Sequence, residues 1–134
     1  MMVFIDKAWQ LRFTIGKFAL VGLSGIAVNQ GLLALLLIVA GLPVAIAGAI
    51  AIEASIISNF HLNNAWTWRQ RSSDSFWIKF IKYHLVTLIA GLINYLILVG
   101  LSSGGMAPLL ANLIGIGAGM ALNFVINHFW TFKP

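Results

Sequence analysis

The sequence predicts an all-α membrane protein of four transmembrane helices, and three observations carry that prediction. Of 134 residues, 60% are apolar, which is about 80, and four spans of about 20 residues need about 80. Only 8% are charged, where an ordinary soluble domain has roughly a quarter. The 8 Lys and Arg residues lie before the first apolar stretch, between the second and third, or after the fourth. A single domain over 1–134 is all that this length supports. A net charge of +5 on so apolar a chain fits basic residues gathered on one side of a bilayer, not a nucleic-acid surface.

The spans follow from where charge stops and starts. The first runs from about Phe18 to Ala40, too long for a signal-peptide core, and reads as a retained span. The others cover about Pro43 to Phe60, Tyr83 to Leu101, and Pro108 to Phe129. Gly41-Leu42-Pro43 and the segment Ser102 to Ala107 carry no charge. Both termini and the Arg69–Asp74 loop are therefore expected in the cytoplasm, in a multi-pass protein of the cytoplasmic membrane. Over residues 1–16, Phe4, Ala8, Leu11 and Ile15 recur at helical spacing among Lys7, Trp9 and Arg12, as in an amphipathic helix at the interface. Asp74 or Ser73 is expected to cap the third helix, and Pro43 and Pro108 to open the second and fourth.

The spans also form two similar halves, about 17–68 and 82–132. A shift of 65 lays Lys17-Phe18 over Lys82-Tyr83, Asn29 over Asn94 and Pro43 over Pro108. A shift of 64 lays Asn59-Phe60-x-x-Asn63-x-x-Trp66-Thr67-Trp68 over Asn123-Phe124-x-x-Asn127-x-x-Trp130-Thr131-Phe132. Each half has two spans, so both cross the membrane in the same sense, giving two parallel-topology two-helix repeats.

A Lys-Phe opening, a glycine-bearing first span and the Asn-Phe-x-x-Asn-x-x-Trp-Thr-aromatic close of each half resemble the GtrA-like family of small four-span membrane proteins. The similarity covers about Lys17 to Phe132. One departure is that family members often carry Arg or Lys between the second Asn and the aromatic, where this chain has Asn64-Ala65 and His128-Phe129. The resemblance implies a part in cell-surface polysaccharide or glycolipid synthesis, moving or presenting a polyprenyl-phosphate-linked sugar across the membrane. A membrane glycosyltransferase is the implied protein partner.

Glu53 lies ten residues from both Pro43 and Asn63, about 15 Å of helix each way, near the midplane. A charge there costs on the order of 3 kcal/mol on insertion scales, so it is expected to face protein or a wet cavity. Asn29 and Asn94 each lie twelve residues beyond Lys17 or Lys82, at a similar depth. The three are expected to form a midplane polar layer that binds the sugar, or else to join helices. Arg69, Arg71, Lys79, Lys82 and Lys17 are expected to dock a lipid phosphate, topogenesis being the other account of them. The set Asn59, Asn63 and Trp66, repeated as Asn123, Asn127 and Trp130, shares one helical face and would cap helix ends or meet a head group. Trp9, Trp66, Trp68, Trp77 and Trp130 read as interfacial anchors. Gly115-x-x-x-Gly119 and the Ala47/Ala51/Ser55 row predict close helix packing, with homo-oligomerisation as an expectation.

With no cysteine, no metal-ligand spacing, no glycine-rich phosphate loop and no nucleophile–base set, the chain is expected to be neither an enzyme nor a cofactor carrier. Three functions remain open: a lipid-carrier transporter, a non-transporting module that docks a glycosyltransferase, and a small proton-coupled multidrug exporter built on Glu53.

The charge split makes a direct prediction about topology. Single cysteines at Ser73 and Ser103 should react with impermeant thiol reagents added to opposite sides of the membrane. Reaction of both from one side would overturn the arrangement.

Overall fold

The computed structural model describes the backbone of residues 2–69 and 71–134, and the side chains of 9–69, 71–120 and 122–134. Four α-helices follow one another: α1 (Met2–Ile38), α2 (Val44–Leu62), α3 (Phe76–Ser103) and α4 (Pro108–Ile126). Each contains a stretch long and apolar enough to cross a membrane. The segment before Lys17 is helical as expected but is not separate, since α1 runs unbroken from Met2 into the first span. The side chains of Phe4, Lys7 and Ala8 lie outside the described residues. Trp9, Leu11, Phe13 and Ile15 are exposed.

Two uncharged turns join the helices of each half. At both, the helix ends on a glycine in the left-handed region, Gly41 at φ 64° and Gly105 at φ 97°, a conformation that costs glycine nothing. Pro108 opens α4 as its first residue, while Pro43 stands one place earlier, as the cap of α2. At α3 the cap is neither Asp74 nor Ser73. Ser75 accepts the bond from Ile78 N–H, and Asp74 instead pairs with Lys82 at 2.6 Å.

The helices form a ring, α1 on α2, α2 on α3, α3 on α4 and α4 back on α1. Packing is closest within each half and thinnest between α1 and α4. Small residues set the close approaches. A Cβ on Gly119 would come within 3.0 Å of Ala90 Cβ, and one on Gly115 would collide with the Asn94 amide. The expected Gly-x-x-x-Gly contact is thus the α3–α4 seam. Ala47, Ala51 and Ser55 are buried within the ring, so that row packs the chain on itself.

α2 and α4 are each 19 residues long, and each ends in a five-residue π-helical turn, Asn63–Thr67 and Asn127–Thr131. In both turns the threonine hydroxyl donates to the asparagine amide oxygen, at 2.7 Å. In both, the next aromatic N–H reaches back to the asparagine carbonyl at 2.9 Å. The widened turn swings Trp68 and Phe132 inward, where their rings stack with centroids 4.3 Å apart and 12° between planes.

Around that stack the contacts cross between the halves. Phe18 packs on Trp68 and on Phe124, and Tyr83, its counterpart by the 65-residue shift, packs on Phe132 and on Phe60. Trp68 is only 2% exposed, which corrects its expected place among the interfacial anchors. The sequence lists it with four other tryptophans, but the π-turn rotates it away from the surface that Trp9, Trp66, Trp77 and Trp130 occupy.

Trp68→Ala should lower stability by about 3–5 kcal/mol, the usual range for emptying a buried aromatic site. Trp77→Ala, at a residue 68% exposed, should change it by less than about 1 kcal/mol. Reversible unfolding in mixed micelles measures both, and equal effects would remove the stack from its structural role.

Candidate functional site

At the basic end, where the Arg69–Asp74 loop and the C-terminus lie, the aromatic cluster forms a floor. Above it the four helices line a partly open cavity of about 90 Å³, with room for several waters. Its walls are polar for a membrane interior. Asn59 and Ser55 from α2, Thr87 and Asn94 from α3, and Asn123 from α4 line it, with Asn63 and Tyr83 at the floor.

The floor is held shut by hydrogen bonds. Asn63 Nδ2 donates to Tyr83 Oη at 3.1 Å, and Asn127 Nδ2 donates to the Asn123 carbonyl at 2.9 Å. The upper wall is different. The buried amide oxygens of Asn59 and Asn94 have no hydrogen-bond partner. Each amide is seated against a glycine, Asn59 on Gly25 and Asn94 on Gly115, so a neighbouring helix fixes its position while its polar end remains unsatisfied. An unpaired buried acceptor costs about 1–3 kcal/mol. Two of them on one cavity can accept hydrogen bonds from donors such as water or hydroxyls.

The structure divides the expected midplane layer. Asn94 lines the cavity. Asn29 does not; it is buried at the α1–α4 seam, where its Oδ1 accepts from Asn112 Nδ2 at 2.7 Å. Asn112 also donates to Gln30 Oε1 at 3.1 Å, and Gln30 Nε2 to the Leu109 carbonyl at 2.7 Å. Asn29 therefore joins helices.

Glu53 is not among the cavity residues. It sits on the outer face of the ring, its side chain 47% exposed, with Oε1 2.8 Å from His84 Nε2. Beside it an apolar groove between α2 and α3 is lined by Ile52, Ile56, Leu92 and Tyr95. Of the surroundings expected for Glu53, protein or a wet cavity, the interior cavity is not the one it meets: its helix turns it toward α3, where the groove leaves it open and His84 supplies a polar partner.

The five basic residues also separate. Lys82 is tied to Asp74, and Lys17 Nζ lies 5.6 Å from the centre of the Trp66 ring, a cation–π distance. Arg71 lies over His128, with its terminal nitrogens 3.1 and 3.2 Å from the two ring nitrogens. Burial lowers the Arg71 pKa, though a guanidinium stays charged at neutral pH, and its buried Nε is unpartnered. Arg69 is exposed and Lys79 half-buried; among the described residues neither side chain makes an ion pair.

Of the twice-occurring asparagines, Asn63 and Asn127 cap their own π-turns. Asn59 and Asn123 face the cavity, and Trp66 and Trp130 face outward. Sequence reasoning missed Asn112, Gln30, Tyr83, Ser55 and Thr87. The repeat offsets hold a signal for two of them. Tyr83 stands where the other half has Phe18, and Asn112 stands where it has Gly48.

A ring of four apolar helices around a polar cavity, its aromatic floor set at the charged end, defines a multi-pass membrane protein with an internal polar site. The chain belongs to the GtrA/DPMS transmembrane domain family, whose model matches residues 17–132. It is also similar to a dolichol-phosphate mannosyltransferase of Pyrococcus furiosus, at 37% identity over 116 residues, which are 87% of this chain and 33% of that relative. The chain thus spans about a third of the length of the curated relative it matches.

The Asn29–Asn112 bond predicts a measurable coupling. In a double-mutant cycle of Asn29→Ala and Asn112→Ala, followed by unfolding in mixed micelles, the interaction should be about 0.6–2 kcal/mol. Strict additivity would show that the amides do not bond.

Proposed function

We propose that this protein receives the head group of a polyprenyl-phosphate-linked sugar and carries it across the membrane, while the prenyl chain stays in lipid. The observation that carries this reading is the pair of unpartnered amides, Asn59 and Asn94, on a polar cavity inside an apolar ring. Sugar hydroxyls are donors and acceptors at once, and would satisfy what the empty wall leaves open. The phosphate belongs at the basic end. Arg69 and Lys79 are uncommitted there, and Arg71 presents a guanidinium with an unpaired Nε, a group suited to phosphate oxygens. Family membership and the dolichol-phosphate substrate in the relative's name support the same chemical class.

In this reading the chain performs no bond-making step. Asp74 is engaged with Lys82 and Glu53 with His84, so neither carboxylate is directed at the cavity. Sugar transfer falls to a partner glycosyltransferase, and the termini and the Arg69–Asp74 loop face the cytoplasm where that partner works. A second reading, a module that docks such an enzyme beside its lipid substrate, is favoured by one observation. The relative is a transferase of which this chain matches only 33%.

Binding and transport separate the two. With each basic residue near an anionic surface worth about 1 kcal/mol, Arg69→Ala with Lys79→Ala should weaken binding of a polyprenyl-phosphate hexose in nanodiscs by about 10- to 30-fold. Asn59→Leu with Asn94→Leu should leave binding of the bare polyprenyl phosphate within about two-fold and weaken the sugar-bearing lipid by about 30-fold, at about 1 kcal/mol for each of two lost hydrogen bonds. In reconstituted vesicles, head-group exposure on the far leaflet should rise with the wild-type chain and not with the asparagine pair replaced. Bound lipid with no movement in either case would favour the docking module.

A further inference from the structure

The cavity is small, about 90 Å³, so a larger head group reaches it only where two helices part to widen it. The ring has two seams between its halves, α2–α3 and α1–α4, and they are fastened differently. Across α2–α3, Asn63 bonds Tyr83 at the floor, and Glu53 pairs with His84 farther up. Between these links Ile52 and Ile56 close the wall, packed so tightly that a Cβ on Gly91 would lie 3.2 and 3.3 Å from them.

Across α1–α4 the fastening is at the other end. Asn112, Asn29, Gln30 and the Leu109 carbonyl form one connected set near the uncharged turns. Toward the basic end this seam has no hydrogen bond among the described residues. Phe18 lacks the hydroxyl that lets Tyr83 bind its asparagine, and Gly22 meets the flexible tip of Met120, whose Cε would lie 3.1 Å from an added Cβ.

Exposure agrees with the fastening. The cavity residues on α1 and α4 that remain partly exposed are Gly22, Ile26, Ile116, Met120 and Asn123. On the opposite wall Asn59 and Gly91 are partly exposed, while Ile52, Ile56, Thr87 and Ala90 are buried. The α1–α4 contact is also the thinnest of the four in the ring.

We infer that the basic half of the α1–α4 seam, between Gly22 and Met120, is the lateral portal by which the polar head of a membrane lipid enters the cavity, hinged on the Asn29–Asn112–Gln30 set. For the ligand's chemistry this rests on the head-group reading above; the portal itself rests on packing alone. A flexible thioether against a glycine makes a door that parts as α1 swings outward, while Trp68 and Arg71 keep their hydrogen bonds to His128 at the end of α4. On α2–α3 the same motion would break Asn63–Tyr83 and Glu53–His84.

The test uses the whole chain in lipid nanodiscs. Because the sequence has no cysteine, Ser55→Cys places one thiol on the cavity wall and leaves both asparagines in place, and its reaction with N-ethylmaleimide follows the population of the open form. Gly22→Leu, or Met120→Phe should the first fail to fold, fills the mouth and should slow that reaction about ten-fold. Gly91→Ala tightens the opposite wall and should change it by less than about two-fold. No reaction in the parent, no slowing by a folded mouth variant, or slowing by Gly91→Ala as large as theirs would each overturn the portal. A short-chain polyprenyl-phosphate hexose should in addition protect the thiol. Mouth-dependent labelling without such protection would keep the portal and remove the head-group reading. Protection that the mouth variants leave unaltered would overturn the portal.

Discussion

The stack of Trp68 on Phe132 is the contact on which the rest of the arrangement depends. It is made where two helices end, and each ring reaches it only because five residues of π-helix displace the last turn. Lipid offers apolar side chains as good an environment as protein does, so helices in a membrane associate by shape and by hydrogen bonds. Here both act together. Asn63 with Thr67, and Asn127 with Thr131, hold the turns, and the rings they aim fill the centre of the basic end. Aromatic pairs of this kind add about 0.5–1.5 kcal/mol beyond buried area. Phe18, Tyr83, Phe60 and Phe124 surround the pair, so the two halves meet through one continuous aromatic layer.

The halves share the length of their second helices and the π-turns that end them but differ where chemistry is placed. Tyr83 opposite Phe18 gives one seam a hydrogen bond that the other lacks. Asn112 opposite Gly48 does the reverse at the far end, and Glu53 opposite Gly117 puts a carboxylate on one outer face alone. A frame that is alike in both halves thus has one seam fastened near the charged end and the other near the uncharged turns. Glycine is the complement of these asparagines. Gly25 receives Asn59 and Gly115 receives Asn94, which lets large amides sit between close helices without a polar partner of their own.

Glu53 shows how depth and direction differ as inferences. Counting residues places it well inside the span, and the cost of a membrane charge says that it needs a partner. A partner is there, since His84 is 2.8 Å away. The count could not say on which side of α2 that partner would stand, because the direction depends on the crossing of α2 and α3. The midplane layer expected of Glu53, Asn29 and Asn94 is for the same reason three separate sites: an outer pair, a helix junction and a cavity wall.

The sequence by itself determined the number of spans, their approximate limits and the segregation of charge, because the bilayer imposes length and polarity on each segment independently of its neighbours. The 64- and 65-residue offsets also showed which positions correspond, down to the Asn-x-x-x-Thr pairs that close both turns. What only the tertiary structure decided is which polar group meets which. That Trp68 is core while Trp66 is surface follows from a π-turn, and that the Asn63 amide is satisfied on both sides while the Asn59 oxygen is not follows from the nearness of Thr67 and Tyr83. That the ring is firmly packed on α2–α3 and thin on α1–α4 follows from side chains far apart in the chain. Such pairings arise from helix rotation and crossing, and a hydrophobic pattern as uniform as this one, apolar on nearly every face, does not encode rotation.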